Sequence, residues 1–391
     1  MYGATKDLLL PTTITGSLPR PHWYKEGLNG RVFRVALSNI DFQEQYIDAV
    51  SCMLRDQERA GLDILTDGDN RFDNEVGGRS WILYTAQRLG GVSGVDLIGR
   101  YASAARPGSI MRDFSECVTP PIVTDKITRG TLEFTPLWKV AQRLTDKPVK
   151  FGAATAEVVE GGLLNRHYKD RGELIFDIAD VLNAEFMDLA NAGCPVVQIE
   201  EPWIHRAHYK QRADVFPQSF YIDVFNRTAK NLAKKTEVWC HTCWGNPAAQ
   251  RSFVRPMSYA PVLEDMNKLE CDVLTFEVVD NSGENLELIG KIITGKKIAI
   301  GVVNHRTLQV ETPEDVAAII RKALKYIPAE RLVITSDCGF GREGMSRRHA
   351  LYKMASIVLG TNIIRAELGL PERPCKLADA RWSLIPADQT G

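Results

Sequence analysis

The 391-residue sequence has no apolar stretch long enough to span a membrane as a helix. Its first residues also lack the charged-then-apolar pattern of a secretory signal peptide. Charge of one sign is not in excess, since 48 lysines and arginines face 49 aspartates and glutamates. This balance gives no electrostatic basis for binding nucleic acid or an anionic membrane surface. We therefore expect a cytoplasmic protein whose partners are small molecules.

Cysteine is sparse, and the eight cysteines are scattered rather than grouped into a disulfide framework. Such a distribution is typical of thiols and metal ligands in a reducing compartment. No Gly-x-Gly-x-x-Gly follows the first strand candidate, which argues against a doubly wound dinucleotide-binding sheet. With 44% hydrophobic residues, a chain of this length can bury a large core, as two domains or as one large α/β barrel.

The chain repeats a short apolar strand, a polar or glycine-containing tip and a helical stretch. Eight strand candidates follow this pattern, at residues 12–17, 64–66, 149–155, 196–199, 237–241, 273–276, 298–303 and 332–335. The pattern predicts an α/β fold, a parallel (β/α)8 TIM barrel formed by residues 1–391 as one domain. Residues 72–135 interrupt the repeat and are rich in glycine and β-formers. We interpret them as a β-rich insertion after the second strand, a hairpin or a lid.

Polar residues stand directly after most strand candidates, and active sites of this barrel fold gather at the carboxyl ends of the strands. Polar residues at such positions also serve as ordinary helix caps, so each residue alone supports either interpretation. As a set they predict an enzyme active site at one rim of the barrel. The residues at these ends are Ser17, Asp69, Thr155, Glu200, His241 with Cys243, Glu277, His305 and Cys338.

Two of these strand ends carry the donors of a metal site. Side chains alternate along a strand, so His241 and Cys243 point the same way and Cys240 points the opposite way. Cys240 and Cys243 are therefore not expected to form a redox pair, which normally opens a helix. Imidazole and thiolate ligands suit zinc, and Cys338 adds a second thiolate. The alternative for each residue alone is a buried cysteine or a hydrogen-bonded histidine.

Five sequence motifs stand at the strand ends, each weak alone and specific together. They are Thr13-Ile14-Thr15-Gly16-Ser17-Leu18-Pro19, Val197-Gln198-Ile199-Glu200-Glu201-Pro202, His241-Thr242-Cys243, Leu274-Thr275-Phe276-Glu277 and Asp337-Cys338-Gly339. In these motifs the chain resembles cobalamin-independent methionine synthase. The resemblance covers nearly the whole chain and corresponds to the catalytic carboxyl-terminal barrel of that family, as in its single-barrel relatives. The tips around Cys243 and Cys338 also resemble relatives that include epoxyalkane:coenzyme M transferase.

The resemblance implies a zinc-dependent S-methyltransferase of methionine biosynthesis, with zinc ligands His241, Cys243, Glu277 and Cys338. The metal would deprotonate homocysteine or a similar thiol, and the thiolate would attack a methyl donor to give methionine or a thioether. Glu277, the least soft of the four donors, would loosen when the thiol arrives. His305 would protonate the leaving group as a general acid, and a loop histidine bonded to backbone is the alternative.

Substrate binding is expected from two acids and several arginines. Asp69 and Glu200 occupy the positions where the family holds the amino group of homocysteine, with aspartate and glutamate exchanged. Two carboxylates would repel the sulfonate of coenzyme M, so they favour an amino-acid thiol. Arginine binds carboxylate or sulfonate, so an anionic tail is expected on a substrate, with solvated loop arginines as the alternative. The arginines after strand ends are Arg20, Arg71, Arg306 and Arg342, and Ser17 and Trp244 complete the substrate-binding set.

The methyl or alkyl donor stays open at this point. Folate-using members of the family carry a tryptophan after the third strand, and residues 155–162 contain no aromatic residue. Trp203 and Trp244 are aromatic candidates in neighbouring loops. A corrinoid protein, a methylated small molecule or an epoxide are the alternatives, the last in an alkyl-thiol transferase or lyase acting on coenzyme M. A zinc-containing accessory partner of a corrinoid protein and a homo-oligomer also stay open.

Overall fold

The computed structural model describes residues 3–24, 39–71, 80–93, 121–200, 202–209, 216–245, 258–341 and 345–378. Residues 72–79 and 94–120 of the expected insertion, and Arg342, lie outside the described residues. Within the described ranges the strands are β1 (Leu65–Thr66), β2 (Gly90–Ser93), β3 (Ile122–Thr128), β4 (Val149–Ala154), β5 (Leu164–Asn165), β6 (Val196–Glu200), β7 (Glu237–His241), β8 (Val273–Phe276), β9 (Lys297–Gly301) and β10 (Leu332–Thr335).

Helices alternate with most of these strands, and some of them are capped by side chains. The first begins after Asn39, whose side chain accepts a hydrogen bond from the Asp41 N–H, and ends at Gly61 with φ of 96°. No helix of the described chain is long and apolar enough to cross a membrane. The helices are α1 (Ile40–Ala60), α2 (Ser80–Arg88), α3 (Phe134–Arg143), α4 (Ala156–Glu160), α5 (Arg171–Asn191), α6 (Ile204–Tyr209), α7 (Gln218–Ala229), α8 (Leu263–Met266), α9 (Leu286–Ile292), α10 (Pro313–Leu324) and α11 (Arg347–Glu367).

A seven-stranded sheet in the order β1-β4-β6-β7-β8-β9-β10 forms the centre of this α/β fold, and each neighbouring pair is parallel. The sheet is curved, since a side chain from just before its first strand and one from its last strand meet in one small apolar cluster. That cluster takes one residue from each of β6 to β10 and one from just before β1. Its members are Ile64, Val196, Trp239, Val273, Ala299 and Val333.

The segment expected as the first strand, residues 12–17, forms only an isolated parallel bridge between Thr12 and Ile334 of β10. On its other side the Thr12 carbonyl accepts hydrogen bonds from the N–H groups of Asp63 and Ile64. Threonine side chains take the place of further ladder bonds, since Thr13 Oγ1 donates to the Ile64 carbonyl (2.8 Å). The segment therefore lies between β10 and β1 without the regular bonding that defines a strand.

The same segment is fastened to the loop after β10 further along. The Thr15 N–H donates to Ser336 Oγ (3.0 Å) and Thr15 Oγ1 donates to the Ser336 carbonyl (3.0 Å). The Phe340 N–H donates to the Ser17 carbonyl (2.8 Å). Gly339 permits this approach, because a Cβ at that position would lie 2.2 Å from Ser17 Oγ. Residues 15–17 and 336–340 are thus held together as one paired segment.

A second sheet has the order β2-β3-β5, with β2 antiparallel and β5 parallel to β3. Strands β2 and β3 fall within residues 72–135, where the sequence is rich in β-formers. That this region is an insertion with a role of its own stays a prediction.

Asp63, just before β1, ties the two ends of the sheet together. Its carboxylate accepts hydrogen bonds from the Thr12 N–H (2.9 Å), from Arg365 of α11 (2.9 Å) and from Arg373 (2.7 Å). Burial opposes ionisation, but Arg365, the Thr12 N–H and Arg373 outweigh it and hold the pKa of Asp63 below its usual value. The ionised carboxylate therefore stabilises the fold.

Asp63→Asn is expected to lower the free energy of unfolding by about 3 kcal/mol at pH 7, because Arg365 stays buried without its counter-charge. Since the pKa of Asp63 is lower in the folded state, this stabilisation is present above about pH 4 and is lost as the pH falls through the folded-state pKa. Urea unfolding at pH 7 and pH 3 measures the difference between variant and wild type, which should shrink at the lower pH. Asp48→Asn, at an exposed position of α1, is the control, and equal effects of the two substitutions would contradict the prediction.

Candidate metal centre and active site

The parallel register brings the carboxyl ends of the strands to one edge of the sheet. Glu200, the last residue of β6, is the ladder partner of His241, the last residue of β7. Glu277 follows β8 directly, and Cys338 lies a few residues after β10. The polar strand ends identified in the sequence are therefore neighbours in space, and each of these four is at most 5% exposed.

His241, Cys243 and Cys338 form one buried group, with their donor atoms all within 4.8 Å of one another. The sulfurs of Cys243 and Cys338 are 3.4 Å apart, well beyond the S–S bond of about 2.05 Å in a disulfide. His241 Nδ1 lies 2.8 Å from Thr275 Oγ1. This hydrogen bond orients the ring and makes Nε2 the nitrogen that would bind a metal.

The donor set of this group fits a metal ion. Two thiolates at about 2.3 Å from a tetrahedral zinc would lie ~3.8 Å apart, so a small adjustment of the 3.4 Å separation between Cys243 and Cys338 suffices. The Gly245 N–H donates to Cys243 Sγ (3.3 Å), a contact that favours the thiolate. Cys240 is buried in the large apolar core, not in this group. His241, Cys243 and Cys338 could therefore hold a metal.

Glu277 lies outside that group of three, and both of its oxygens are engaged. Arg306 donates to Oε1 (2.8 Å) and Oε2 (3.0 Å), and the Trp244 N–H donates to Oε2 (2.7 Å). Arg306 also lies 3.0 Å from Asp280. Burial raises the pKa of Glu277 to about 7 although Arg306 opposes the shift. Binding of Glu277 to a metal would require one of these contacts to be given up.

Glu277, His305 and Asp337 form a second buried group of close donor atoms. His305 is fully buried, and its Nε2 lies 3.3 Å from the Gly245 carbonyl. Asp337 Oδ1 accepts hydrogen bonds from the Val278 N–H (2.8 Å) and the next N–H along the chain (3.2 Å). Burial, aided by the charge of Glu277, raises the pKa of Asp337 well above its usual value. The histidine expected as a general acid thus lies beside the group of possible metal ligands His241, Cys243 and Cys338, which is called the metal-type group below.

Asp69 and Glu200 both lie beside Gly16. A Cβ at Gly16 would lie 3.5 Å from Glu200 Oε1 and 3.6 Å from Asp69 Oδ2, so the two carboxylates are close to the same point of the chain. Asp69 has φ of 54°, in the left-handed region that non-glycine residues rarely adopt. Its N–H donates to Asp67 Oδ1 (2.9 Å), which holds this conformation. Burial raises the pKa of Asp69, Arg71 opposes the shift, and Asp67 and Glu200 add to it.

The arginines near this pair bond to the protein itself. Arg71 is fully buried, donates to Asp69 Oδ1 (3.1 Å) and to the Gly152 carbonyl, and lies 4.4 Å from the Phe151 ring centre. Arg20 donates to the Asp69 carbonyl (3.2 Å). These contacts place both guanidinium groups as supports for Asp69, and an anionic substrate tail would have to compete for them.

The two remaining expected substrate-binding residues also have contacts within the protein. Ser17 Oγ accepts a hydrogen bond from the Gly341 N–H (3.2 Å). The Trp244 ring is 3% exposed, and its centre lies 4.8 Å from the rings of both His205 and Tyr259. The structure brings Trp244 next to the metal-type group through its backbone, while its ring packs in an aromatic cluster.

Sequence reasoning assigned no role to several residues of this region. Thr275 orients His241, and Lys150 and Gln198 are buried beneath Glu200. A lysine inside the apolar run Val149–Ala154 was the available signal for Lys150. The contact of Thr275 with His241 crosses between strands, so no local pattern indicates it.

Comparison with known proteins agrees with this geometry. Residues 10–358 match the family model described as the cobalamin-independent synthase catalytic domain. A methionine synthase of Saccharolobus solfataricus is 31% identical over 92% of this chain and 96% of its own, and one of Sulfurisphaera tokodaii is 28% identical over 92% and 94%. The structure of a B12-independent methionine synthase from Shewanella sp. W3-18-1, in complex with selenomethionine, superimposes with a TM-score of 0.73 at 26% identity, covering 92% of this chain and 99% of that one.

A putative vitamin-B12-independent methionine synthase from Listeria monocytogenes has the same fold, with a TM-score of 0.65 at 17% identity, over 91% of this chain and 99% of that one. The family match spans most of the chain, and the curated relatives cover it almost end to end. The chain therefore belongs to the family of cobalamin-independent methionine synthase catalytic domains and is a methyltransferase.

Proposed function

We propose that this protein is a zinc-dependent S-methyltransferase that activates homocysteine, or a similar amino-acid thiol, for attack on a methyl donor. The observation that carries the proposal is the buried group of one imidazole and two thiols, His241, Cys243 and Cys338, at the carboxyl edge of the sheet. Hydrolytic zinc sites rely on histidine and carboxylate ligands, whereas a site with two thiolates suits thiol activation.

Glu277 is proposed as the fourth, exchangeable ligand. Its Oε2 accepts a hydrogen bond from the N–H of Trp244, the residue after Cys243, so Glu277 is the carboxylate that would join His241, Cys243 and Cys338 in holding zinc. Arg306 holds it in the present position. Zinc bound there would supply the acidity that removes the proton from an incoming thiol at neutral pH.

Asp69 and Glu200 are proposed to bind the ammonium group of the thiol substrate. Their carboxylates frame the space beside Gly16, and an ammonium offers three donors to such acceptors. The Shewanella relative was solved in complex with selenomethionine, which is itself an amino acid. The same two carboxylates would repel the sulfonate of coenzyme M, so that alternative is disfavoured.

His305 is proposed as the general acid that protonates the leaving group of the methyl donor. It is buried beside Glu277 and the backbone of Gly245, and the Gly245 N–H donates to the sulfur of Cys243. The burial of these side chains would exclude water from the reacting groups, which would protect the thiolate and strengthen local electrostatics. The donor itself is not assigned.

The fold that carries this chemistry is proposed to be a closed (β/α)8 barrel formed as one domain. Residues 12–15 bond to β10 on one side and to the start of β1 on the other, which supports closure through this segment. A reducing, cytoplasmic location fits a site that needs two thiolates.

Substitution of a metal ligand tests the zinc site. Cys243→Ser and Cys338→Ser are each expected to weaken zinc binding at least about 100-fold, because a hydroxyl replaces a soft thiolate. Competition with a chromophoric chelator measures the affinity. Cys240→Ala, in the same segment but in the apolar core, is the matched control and should bind zinc as the wild type does. Unchanged affinity in both serine variants would refute the site.

The thiol is tested by X-ray absorption of the zinc-loaded protein during titration. Homocysteine is expected to add one sulfur to the metal coordination shell, and coenzyme M is not. Asp69→Asn should raise the homocysteine concentration needed by about tenfold, since one acceptor for the ammonium loses its charge. A new sulfur ligand with coenzyme M but not with homocysteine would reverse the substrate assignment.

His305→Gln tests the general acid. The turnover rate of methyl transfer is expected to fall about 10²- to 10⁴-fold, because the leaving group then departs without a positioned proton donor. Zinc content and homocysteine binding should stay at wild-type values in the same preparation. A variant with wild-type turnover would show that His305 has only a packing role.

A further inference from the structure

Lys150 is buried inside the sheet, beneath the pair of acids. It is the second residue of β4, is 2% exposed and pairs with Thr66 of β1 in the parallel ladder. Its Nζ donates to Gln198 Oε1 on β6 (2.7 Å) and lies 4.6 Å from the centre of the Trp239 ring on β7. Lysine is almost never fully buried unless it is paired, so the groups that surround Lys150 determine whether it carries a charge.

A chain of hydrogen bonds connects Lys150 to Glu200. Because the amide oxygen of Gln198 accepts from Lys150, the NH₂ end of that amide faces the other way. It donates to Glu200 Oε1 (2.6 Å) and to the Thr15 carbonyl (2.7 Å). The position of one carboxylate of the acid pair is therefore fixed by a side chain that Lys150 orients.

The charges around Lys150 come from several elements of the fold. Burial lowers the pKa of Lys150 to about 7, and the negative charges of Glu200 on β6 and Asp69 in the loop after β1 oppose that shift. The side chain that faces it from β7, Trp239, is uncharged, and the amino-terminal segment presents the Thr15 carbonyl to Gln198. The other charged members of this buried group are Asp67, Arg71 and Arg20.

We propose that Lys150 balances the negative charge of Asp69 and Glu200 before substrate binds, and that it releases its proton to solvent when a substrate ammonium group arrives between the two carboxylates. The inference rests on the proposed function, in which the thiol is an amino acid. Two cations beside one pair of acids repel each other in a medium of low dielectric constant. Lysine can relieve this repulsion by losing a proton, which arginine cannot do.

L-Methionine is the probe that isolates this event, because it carries an ammonium group but no thiol proton. Titration calorimetry of the zinc-loaded enzyme in two buffers of different ionisation enthalpy counts the protons released on binding. The wild type is expected to release about one proton at pH 6, where Lys150 is charged, and close to none at pH 8, where Lys150 is mostly neutral and free methionine still carries its ammonium group.

Two substitutions separate charge balance from a structural role. Lys150→Arg keeps a permanent charge, so it should bind methionine at least about tenfold more weakly at pH 6 and release no proton. Lys150→Met removes the competing cation, so no proton has to be lost on binding, and it should bind methionine at least as tightly as the wild type at pH 6. Lys139→Met, at an exposed position of α3, is the control and should behave as the wild type. The proposal predicts a loss of affinity for the charged variant alone, so equal losses in the two Lys150 variants would overturn it.

Each other outcome also decides the question. A proton release that persists in Lys150→Arg would assign the proton to Asp69 or to the ligand and would overturn the proposal. Methionine binding without proton release in the wild type would overturn it too, while leaving the amino-acid thiol in place. If neither methionine nor homocysteine binds the wild type, the inference fails together with the substrate assignment.

Discussion

A charged side chain removed from water needs an opposite charge or several hydrogen bonds, and this requirement governs the carboxyl edge of the sheet. Asp69 is held by Arg71, Glu200 by the amide of Gln198, and Glu277 by Arg306. The first two pairings join residues two positions apart, whereas Glu277 and Arg306 follow different strands, and Gln198 is itself oriented by Lys150 of the neighbouring strand β4. The local geometry of the site therefore depends on the parallel sheet that brings its strand ends to one edge.

The regular parts of the fold could be predicted because local pattern and tertiary context agree there. Glu237–His241, Val273–Phe276 and Leu332–Thr335 were expected at the bounds observed, since each is a short buried run closed by a polar residue. Residues 12–17 were expected as a strand but bond largely through threonine side chains. Composition favours an extended chain in both cases, and only the neighbours decide which groups take the hydrogen bonds.

The candidate site also contains residues that the sequence predicted and residues that it did not. His241, Cys243 and Cys338 could be grouped from ligand chemistry and strand alternation, and they do lie together. The ion pair between Glu277 and Arg306 could not be foreseen, because it depends on how the loops after β8 and β9 are placed relative to each other. Lys150 was missed because a single lysine within an apolar strand carries no periodic signal. Its importance is electrostatic, and charge balance is a property of the whole buried group.

The paired segment formed by residues 15–17 and 336–340 has one further consequence. Gly16, beside the two acids, lies on one side of this pairing, and Cys338 lies on the other. The hydrogen bonds between Thr15 and Ser336 therefore help to fix the distance between the carboxylates of Asp69 and Glu200 and the thiol of Cys338. A thiol substrate bound as proposed, with its ammonium group at the two acids and its sulfur at the metal, would have to match this fixed distance. An amino acid one methylene longer or shorter would then reach only one of the two sites.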